Sequence, residues 1–147
     1  RSDSDIYTLQ DLTGKVVAVQ STTKPEELFL NAEQNGLPRP RRLYSLQNRD
    51  LIYTTLIKGY ADALAAHESA IRQFMKDYSA EYRILDEPLM TAQLGVAFAK
   101  DRSDDLPQQL TEVFQEMLAD GTVRQIVSRY LDDPGHYLDG LEDSTHA

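Results

Sequence analysis

The sequence predicts an α/β protein of three layers, a largely parallel sheet flanked by helices. Three observations predict it. Short apolar runs with β-branched bias, Val16 to Val19 first among them, are each followed by a stretch of helical periodicity. Glycines fall where those helical stretches should stop, at Gly36 and Gly59. Strands that alternate with helices favour a parallel sheet with covered faces.

The elements follow in chain order. Residues 1–11 are polar and are expected to form a linker. Val16 to Gln20 reads as a strand, since an uninterrupted apolar run suits a strand buried on both sides. Lys24 to Asn35 reads as a helix, with Leu28, Phe29 and Ala32 at helical spacing. Leu37-Pro38-Arg39-Pro40 breaks any regular element, and Arg41 to Tyr44 is expected as a short strand. Asn48 to Lys58 is expected as a helix with Leu51, Ile52, Thr55 and Leu56 on its apolar stripe. Ala61 to Ala66 reads as a buried strand, Ser69 to Tyr78 as a helix, and Tyr82 to Leu85 and Leu94 to Phe98 as further strands. Asp104, Asp105 and Pro107 mark the start of a long helix whose core face is Leu106, Leu110, Val113, Phe114, Met117 and Leu118. Asp120-Gly121-Thr122 breaks it, and Thr122 is expected to cap a last helix carrying Val123, Ile126, Val127 and Tyr130 inward. Residues 132–147 are expected as an acidic, loop-like tail.

Composition narrows the function. The 147 residues suit one domain, or one and a fraction, and 41% apolar residues suffice for a core. A formal net charge of −9 argues against nucleic acid, whose phosphates need a basic footprint, and against an anionic membrane surface. The chain has no cysteine, so disulfides, thiolate nucleophiles and cysteine-ligated zinc are excluded. No apolar run approaches the roughly 20 residues that span a bilayer, and no signal-peptide pattern is present. The chain opens on Arg1-Ser2-Asp3 without Met, as expected of a processed or shortened product. No phosphate loop, nucleophile elbow or metal-spaced histidine pair occurs, and His67, His136 and His146 are dispersed. No catalytic residue, metal or cofactor is expected.

In a parallel sheet ligands sit at the carboxyl ends of strands. That rule selects two polar exits, Gln20 to Thr23 and Ala66 to Ser69. Ser21, Thr22 and Thr23 precede Pro25 and a helical pattern, where hydroxyls and unpaired N–H groups could cradle an anion or simply cap the helix. Asp62 is expected to make turn hydrogen bonds at the edge of the sheet. Arg39, Arg41 and Arg42 form a basic cluster that is either a partner contact or a solvated loop. Tyr44, Tyr53 and Tyr60 either line a cleft or are half-buried in the ordinary way.

Four motifs in order carry a family resemblance. They are Asp11-Leu12-Thr13-Gly14-Lys15-Val16-Val17-Ala18-Val19-Gln20-Ser21-Thr22-Thr23, Leu56-Ile57-Lys58-Gly59-Tyr60-Ala61-Asp62-Ala63, Leu94-Gly95-Val96-Ala97-Phe98-Ala99-Lys100, and Leu106 through Asp120-Gly121-Thr122 to Ile126 and Tyr130. Together they resemble the type 2 periplasmic solute-binding fold in its family 3, amino-acid-binding branch. The resemblance implies lobe 2 of that fold over residues 12–93, and the return strand and C-terminal helices of lobe 1 over 94–131. The first half of lobe 1, with its usual arginine for a ligand carboxylate, is then absent. Helices over Leu106 to Leu131 would lack their sheet, leaving apolar area wet at roughly 25 cal/mol per Å². A domain-swapped homodimer, or helices folded back on lobe 2, would cover it.

The resemblance also implies a site. Gln20, Ser21, Thr22 and Thr23 would hold a solute's carboxylate, although Thr22 stands where the family has glycine. His67 falls at the position of the family's aspartate for the α-ammonium, and Glu68 lies next to it. An imidazole cannot replace a carboxylate there, so either Glu68 takes over, the solute lacks an amino group, or binding is lost. The implied function is extracytoplasmic binding of an amino acid or related organic acid, in the periplasm or outside the cell. Its partner would be a membrane permease or a receptor domain. The alternative is a ligand-free remnant sensor whose interfaces, not a solute, do the work.

Overall fold

Four buried apolar residues in a row need cover on two sides, and the structure supplies it. The structure is a computed structural model that describes residues 1–78, 81–92 and 95–142. The chain divides into two units, Arg1–Ala92 and Gln93–Ala147.

In the first unit β1 (Val16–Gln20) is the middle strand of three, in the order β2-β1-β3, all parallel. β2 (Arg42–Leu46) pairs from Val16 with Arg42 to Gln20 with Leu46. β3 (Ala63–Ala65) pairs from Val17 with Ala63 to Val19 with Ala65. Side chains alternate across a strand. Val17 and Val19 therefore meet Phe29 of α1 (Lys24–Leu30), while Val16 and Ala18 meet Ile52 of α2 (Arg49–Ile57). α3 (Glu68–Tyr78) joins the α2 side, where Phe74 stacks on Tyr53 with ring centroids 4.3 Å apart. The three-layer α/β class expected from the sequence is the one observed. Its chain path explains the sidedness: β1 leads outward to β2, and the chain then crosses back over β1 to β3. Right-handed crossovers in opposite directions put α1 and α2 on opposite faces.

Several expectations are corrected. Residues 1–11 are packed on the unit, not extended as a linker. Ile6 and Leu12 are buried in the α1-side core, with a 3-10 turn over Leu9–Leu12 between them. The Arg83 guanidinium donates to the carbonyls of Ser2, Ser4 and Ile6 at 2.6, 2.8 and 2.6 Å. Two buried apolar side chains in a polar stretch and the Arg83 fork together dock it. Tyr82 to Leu85 is not a strand; Arg83 anchors it to residues 2–6, and Leu85 packs on the core beside Leu89. The helix expected to reach Asn35 ends at Leu30 and continues as turns to Gly36, whose φ is 66°.

The second unit holds α4 (Leu106–Ala119), α5 (Thr122–Val127) and α6 (Pro134–Glu142). They meet at Leu118, Val123 and Leu138, with Met117, Val127 and Tyr137 around them. The rest of the expected α4 core face, Leu106, Leu110, Val113 and Phe114, is 41% to 50% exposed. Of the strand expected over Leu94 to Phe98, Leu94 lies outside the described residues and Gly95 to Phe98 is irregular. Among the described residues this unit contains no strand for it to pair with. The expected loop-like tail is helical over Pro134–Glu142, since proline suits a first helical position and Leu138 gives the helix something to bury. Residues 143–147 lie outside the described set. Thr122 is the first residue of α5, not its cap; the N-cap is Gly121 at φ 80°, and the Asp120 carboxylate accepts the Thr122 N–H at 2.8 Å.

Candidate functional site at the carboxyl ends of β1 and β3

Val19 and Ala65 are register partners on adjacent parallel strands. The segments that follow them, Gln20 to Thr23 and Ala66 to Glu68, therefore leave the sheet side by side at the same end. One runs into α1 and the other into α3, which lie on opposite faces. Neighbouring strands whose connections part to opposite faces form a topological switch point, where open α/β sheets leave a crevice. The structure thus brings the two groups of expected site residues to one edge. Asp62 belongs to the other end of the sheet, where its carboxylate accepts the Val16 N–H at 2.7 Å and its own N–H donates to the Val16 carbonyl at 2.8 Å.

On the β1 side, polar groups are mostly engaged locally. The Gln20 amide donates to the Gln47 carbonyl at 3.4 Å. The Ser21 N–H extends the β2 ladder by donating to the Leu46 carbonyl at 3.0 Å. Its hydroxyl is buried with no hydrogen-bond partner among the described residues. Thr22 adopts φ 60°, the left-handed region that a β-branched residue rarely visits. Its hydroxyl donates to the Ser21 carbonyl at 2.6 Å, and that of Thr23 to the Gln20 carbonyl at 2.5 Å. Both threonine hydroxyls therefore close the turn and do not project as free donors.

Glu26 is the residue that sequence reasoning missed. One of its oxygens accepts the Thr22 N–H at 2.6 Å, and the other accepts the hydroxyl of Ser45 on β2. The Ser45 hydroxyl, and after it the Thr22 N–H, holds the Glu26 carboxyl below the usual glutamate range. The signal was in the sequence: Thr23-Lys24-Pro25-Glu26 has the spacing of a capping box, in which the third residue of a helix reaches back to the chain before it. Here it reaches one residue further, to Thr22.

On the β3 side His67 is exposed, and its carbonyl accepts the N–H groups of Ala70 and Ile71 at 3.0 and 3.1 Å, closing the first turn of α3. Glu68 is half-buried and receives the Arg72 guanidinium at 2.8 Å from Nε, an ion pair one helical turn apart. The edge offers amide, imidazole and carboxylate groups suited to reversible polar contact. Among the described residues no cluster of three His, Asp or Glu side chains could hold a metal ion, and no helix is long and apolar enough to cross a membrane.

No protein-family model matches the chain. The histidine-binding periplasmic protein of Escherichia coli K12 is 34% identical over 139 residues, covering 88% of this chain and 52% of that protein. The protein of the same name from Salmonella typhimurium LT2 matches with the same identity and coverage. The chain spans about half the length of the curated relatives it matches. Among solved structures, the second substrate-binding domain assigned to an amino acid ABC transporter of Streptococcus pneumoniae superposes with a TM-score of 0.62 at 21% identity, over 89% of this chain and 58% of that one. By sequence the chain is thus a relative of the histidine-binding periplasmic proteins over about half their length, and its α/β fold matches that of part of a substrate-binding domain.

Proposed function

We propose that this chain is a binding module for a small polar solute, an amino acid or related carboxylate, and not an enzyme. The observation that carries the reading is the register pairing of Val19 with Ala65, which sets both polar exits at one switch point. Its similarity to proteins named for histidine binding supports it. Gln20, Ser21, Thr22 and Thr23 form one bank of the site, and His67 and Glu68 the other. The module works outside the cytoplasm, in the periplasm or at the cell exterior, and hands its solute to a membrane permease or signals to a receptor domain. Residues 12–93 act as lobe 2 of the solute-binding fold and 94–131 as the segment returning to lobe 1.

Calorimetry with a panel of amino acids, histidine among them, tests the reading. Saturable heat that disappears when His67 and Glu68 are both replaced by alanine is the expected result. No heat with any member of the panel overturns it.

A second reading has a specific observation in its favour. Glu26 already occupies the Thr22 and Ser45 donors, and Arg72 already pairs with Glu68. A sensor remnant that works through its interfaces needs no vacant polar edge. The exposed α4 face then serves a second copy through exchanged helices, and light scattering that gives a monomer mass at high concentration overturns that arrangement.

A further inference from the structure

β2 is an outer strand of the sheet. In its ladder with β1 the Arg42 N–H donates to the Lys15 carbonyl at 3.4 Å, and the Leu46 carbonyl accepts the Ser21 N–H at 3.0 Å. Alternate residues of a strand in a parallel ladder turn their N–H and C=O groups to the same neighbour. Arg42, Tyr44 and Leu46 therefore face β1, and the N–H and C=O groups of Leu43 and Ser45 face outward. These outward groups have no hydrogen-bond partner among the described residues. Such a row is a template for a further strand. Arg39, Arg41 and Arg42 flank the start of this edge and are exposed. They make no ion pair among the described residues, whereas Lys15, Lys24 and Arg102 pair with Asp5, Glu27 and Asp104. The Arg42 guanidinium donates to the Tyr44 hydroxyl at 3.2 Å and lies 5.5 Å from that ring's centre, which holds it beside the edge. Of the acids bonded to these strands, Asp62 accepts from Val16 and Glu26 from Ser45, and neither pairs with an arginine. Arg42 is level with Val16, so the cluster sits at the end of the sheet away from Gln20.

We propose that the outer edge of β2 is a docking strand for an extended acidic segment of a partner protein, which joins the sheet beside Leu43 and Ser45 with its carboxylates against Arg39, Arg41 and Arg42. Main-chain bonds supply the attachment, and the charged side chains select the partner. Cations on an edge keep like edges apart, and the same cations attract an acidic strand. That complementarity favours an acidic partner over a second copy, whose own β2 edge carries the same arginines. The chain's net charge of −9 does not cancel the patch, because at about 0.1 M salt charges more than about 10 Å apart are largely screened. The proposal goes beyond the solute-binding reading and does not depend on it.

The probe is a short capped peptide of alternating glutamate and valine, titrated into the whole chain and followed by amide NMR. It is expected to shift the Leu43 and Ser45 amides saturably and to slow their hydrogen exchange, while a lysine–valine peptide does neither. Arg41→Glu combined with Arg42→Glu is expected to weaken binding by about tenfold or more. Arg41→Gln combined with Arg42→Gln removes the charge without reversing it, weakens binding less, and serves if the glutamate pair does not fold. The same peptide N-methylated throughout keeps its charge, loses its N–H groups and is expected to leave both amides unmoved. Equal shifts with the lysine or the N-methylated peptide overturn the proposal, as does undiminished binding by the folded arginine variants. A glutamate peptide that moves arginine side-chain signals but neither amide also overturns it, since the contact is then diffuse attraction without strand pairing. Light scattering that gives a dimer of the free chain, with Leu43 and Ser45 protected from exchange in it, makes a second copy the occupant and overturns it too.

Discussion

The Arg83 guanidinium donates to the carbonyl of Ile6 at 2.6 Å across 77 residues of sequence. The same group reaches the carbonyls of Ser2 and Ser4 and lies over the Tyr7 ring at 4.1 Å. Ser2 returns the contact by donating its N–H to the Glu81 carbonyl at 2.9 Å, and the Leu9 N–H donates to the Glu87 carboxylate at 3.0 Å. One planar fork therefore joins the start of the first unit to its end. Its Nε is buried and has no partner among the described residues, so the terminal nitrogens carry the contact.

Lysine cannot reproduce that fork, since it offers a point charge in place of a planar donor set. Arg83→Lys is expected to lower the unfolding free energy by about 1.5–3 kcal/mol, the range for hydrogen bonds to charged groups. Amide hydrogen exchange over residues 2–9 should rise in the same variant. Unchanged protection there would show that the docked segment is held by Ile6 and Leu12 alone.

Thr22 sits at φ 60°, where a side chain with a Cβ costs about 1–2 kcal/mol. Glycine removes that cost but adds freedom to the unfolded chain. Its loss of the 2.6 Å bond to the Ser21 carbonyl offsets a further part. Thr22→Gly is expected to raise stability by about 0.5–1 kcal/mol, read from the denaturant midpoint. A lower midpoint would mean that the threonine hydroxyl, not the backbone, decides this turn.

Acid should weaken the fold through a defined set of carboxylates. Glu26, Asp11 and Asp120 all have folded values below their ordinary range: Ser45 and Thr22 cause it for Glu26, the Tyr7 and Thr8 N–H groups for Asp11, and Thr122 for Asp120. A group depressed on folding contributes fully above its unfolded value and loses that contribution as pH falls through the folded value. Stability is therefore expected to be flat around neutrality and to decline below about pH 4. Urea midpoints at several pH values measure the decline, and Glu26→Gln should show a shallower one.

Ile52 and Phe114 should respond in opposite ways to truncation. Ile52 is 1% exposed between α2 and the sheet, and Ile52→Ala is expected to cost about 2–5 kcal/mol. Phe114 is 45% exposed on α4, and Phe114→Ala is expected to change stability by less than about 0.5 kcal/mol. A large loss for Phe114 in thermal unfolding would show that its face is covered in solution.

Much of the first unit is legible in the sequence because two-sided burial leaves an unmistakable run. Val16 to Gln20 is read to the residue, and α2 and α3 are read to within one residue at each end. Isolated apolar residues are harder. Ile6 lies in a polar stretch, and nothing local reveals that Arg83 will bring it to the core. Gly95 to Phe98 is apolar enough for a strand, but strand formation also needs a partner. The acidic tail reads as loop-like, yet proline at the first turn and Leu138 on the buried side make a helix. At the candidate site the exits were visible from strand polarity. Glu26 is not, because Ser21, Thr22 and Thr23 read either as donors for an anion or as helix caps, and neither reading draws on the capping-box spacing that supplies an acceptor from the chain itself.

The pairing of Val19 with Ala65 ties two properties into one variable. A slip of β3 by a single peptide against β1 would turn Leu64 from the α2 side to the α1 side and, in the same movement, shift His67 one step along from Ser21. The hydrophobic sidedness of Ala63-Leu64-Ala65 is therefore also the ruler that sets the gap between the two banks.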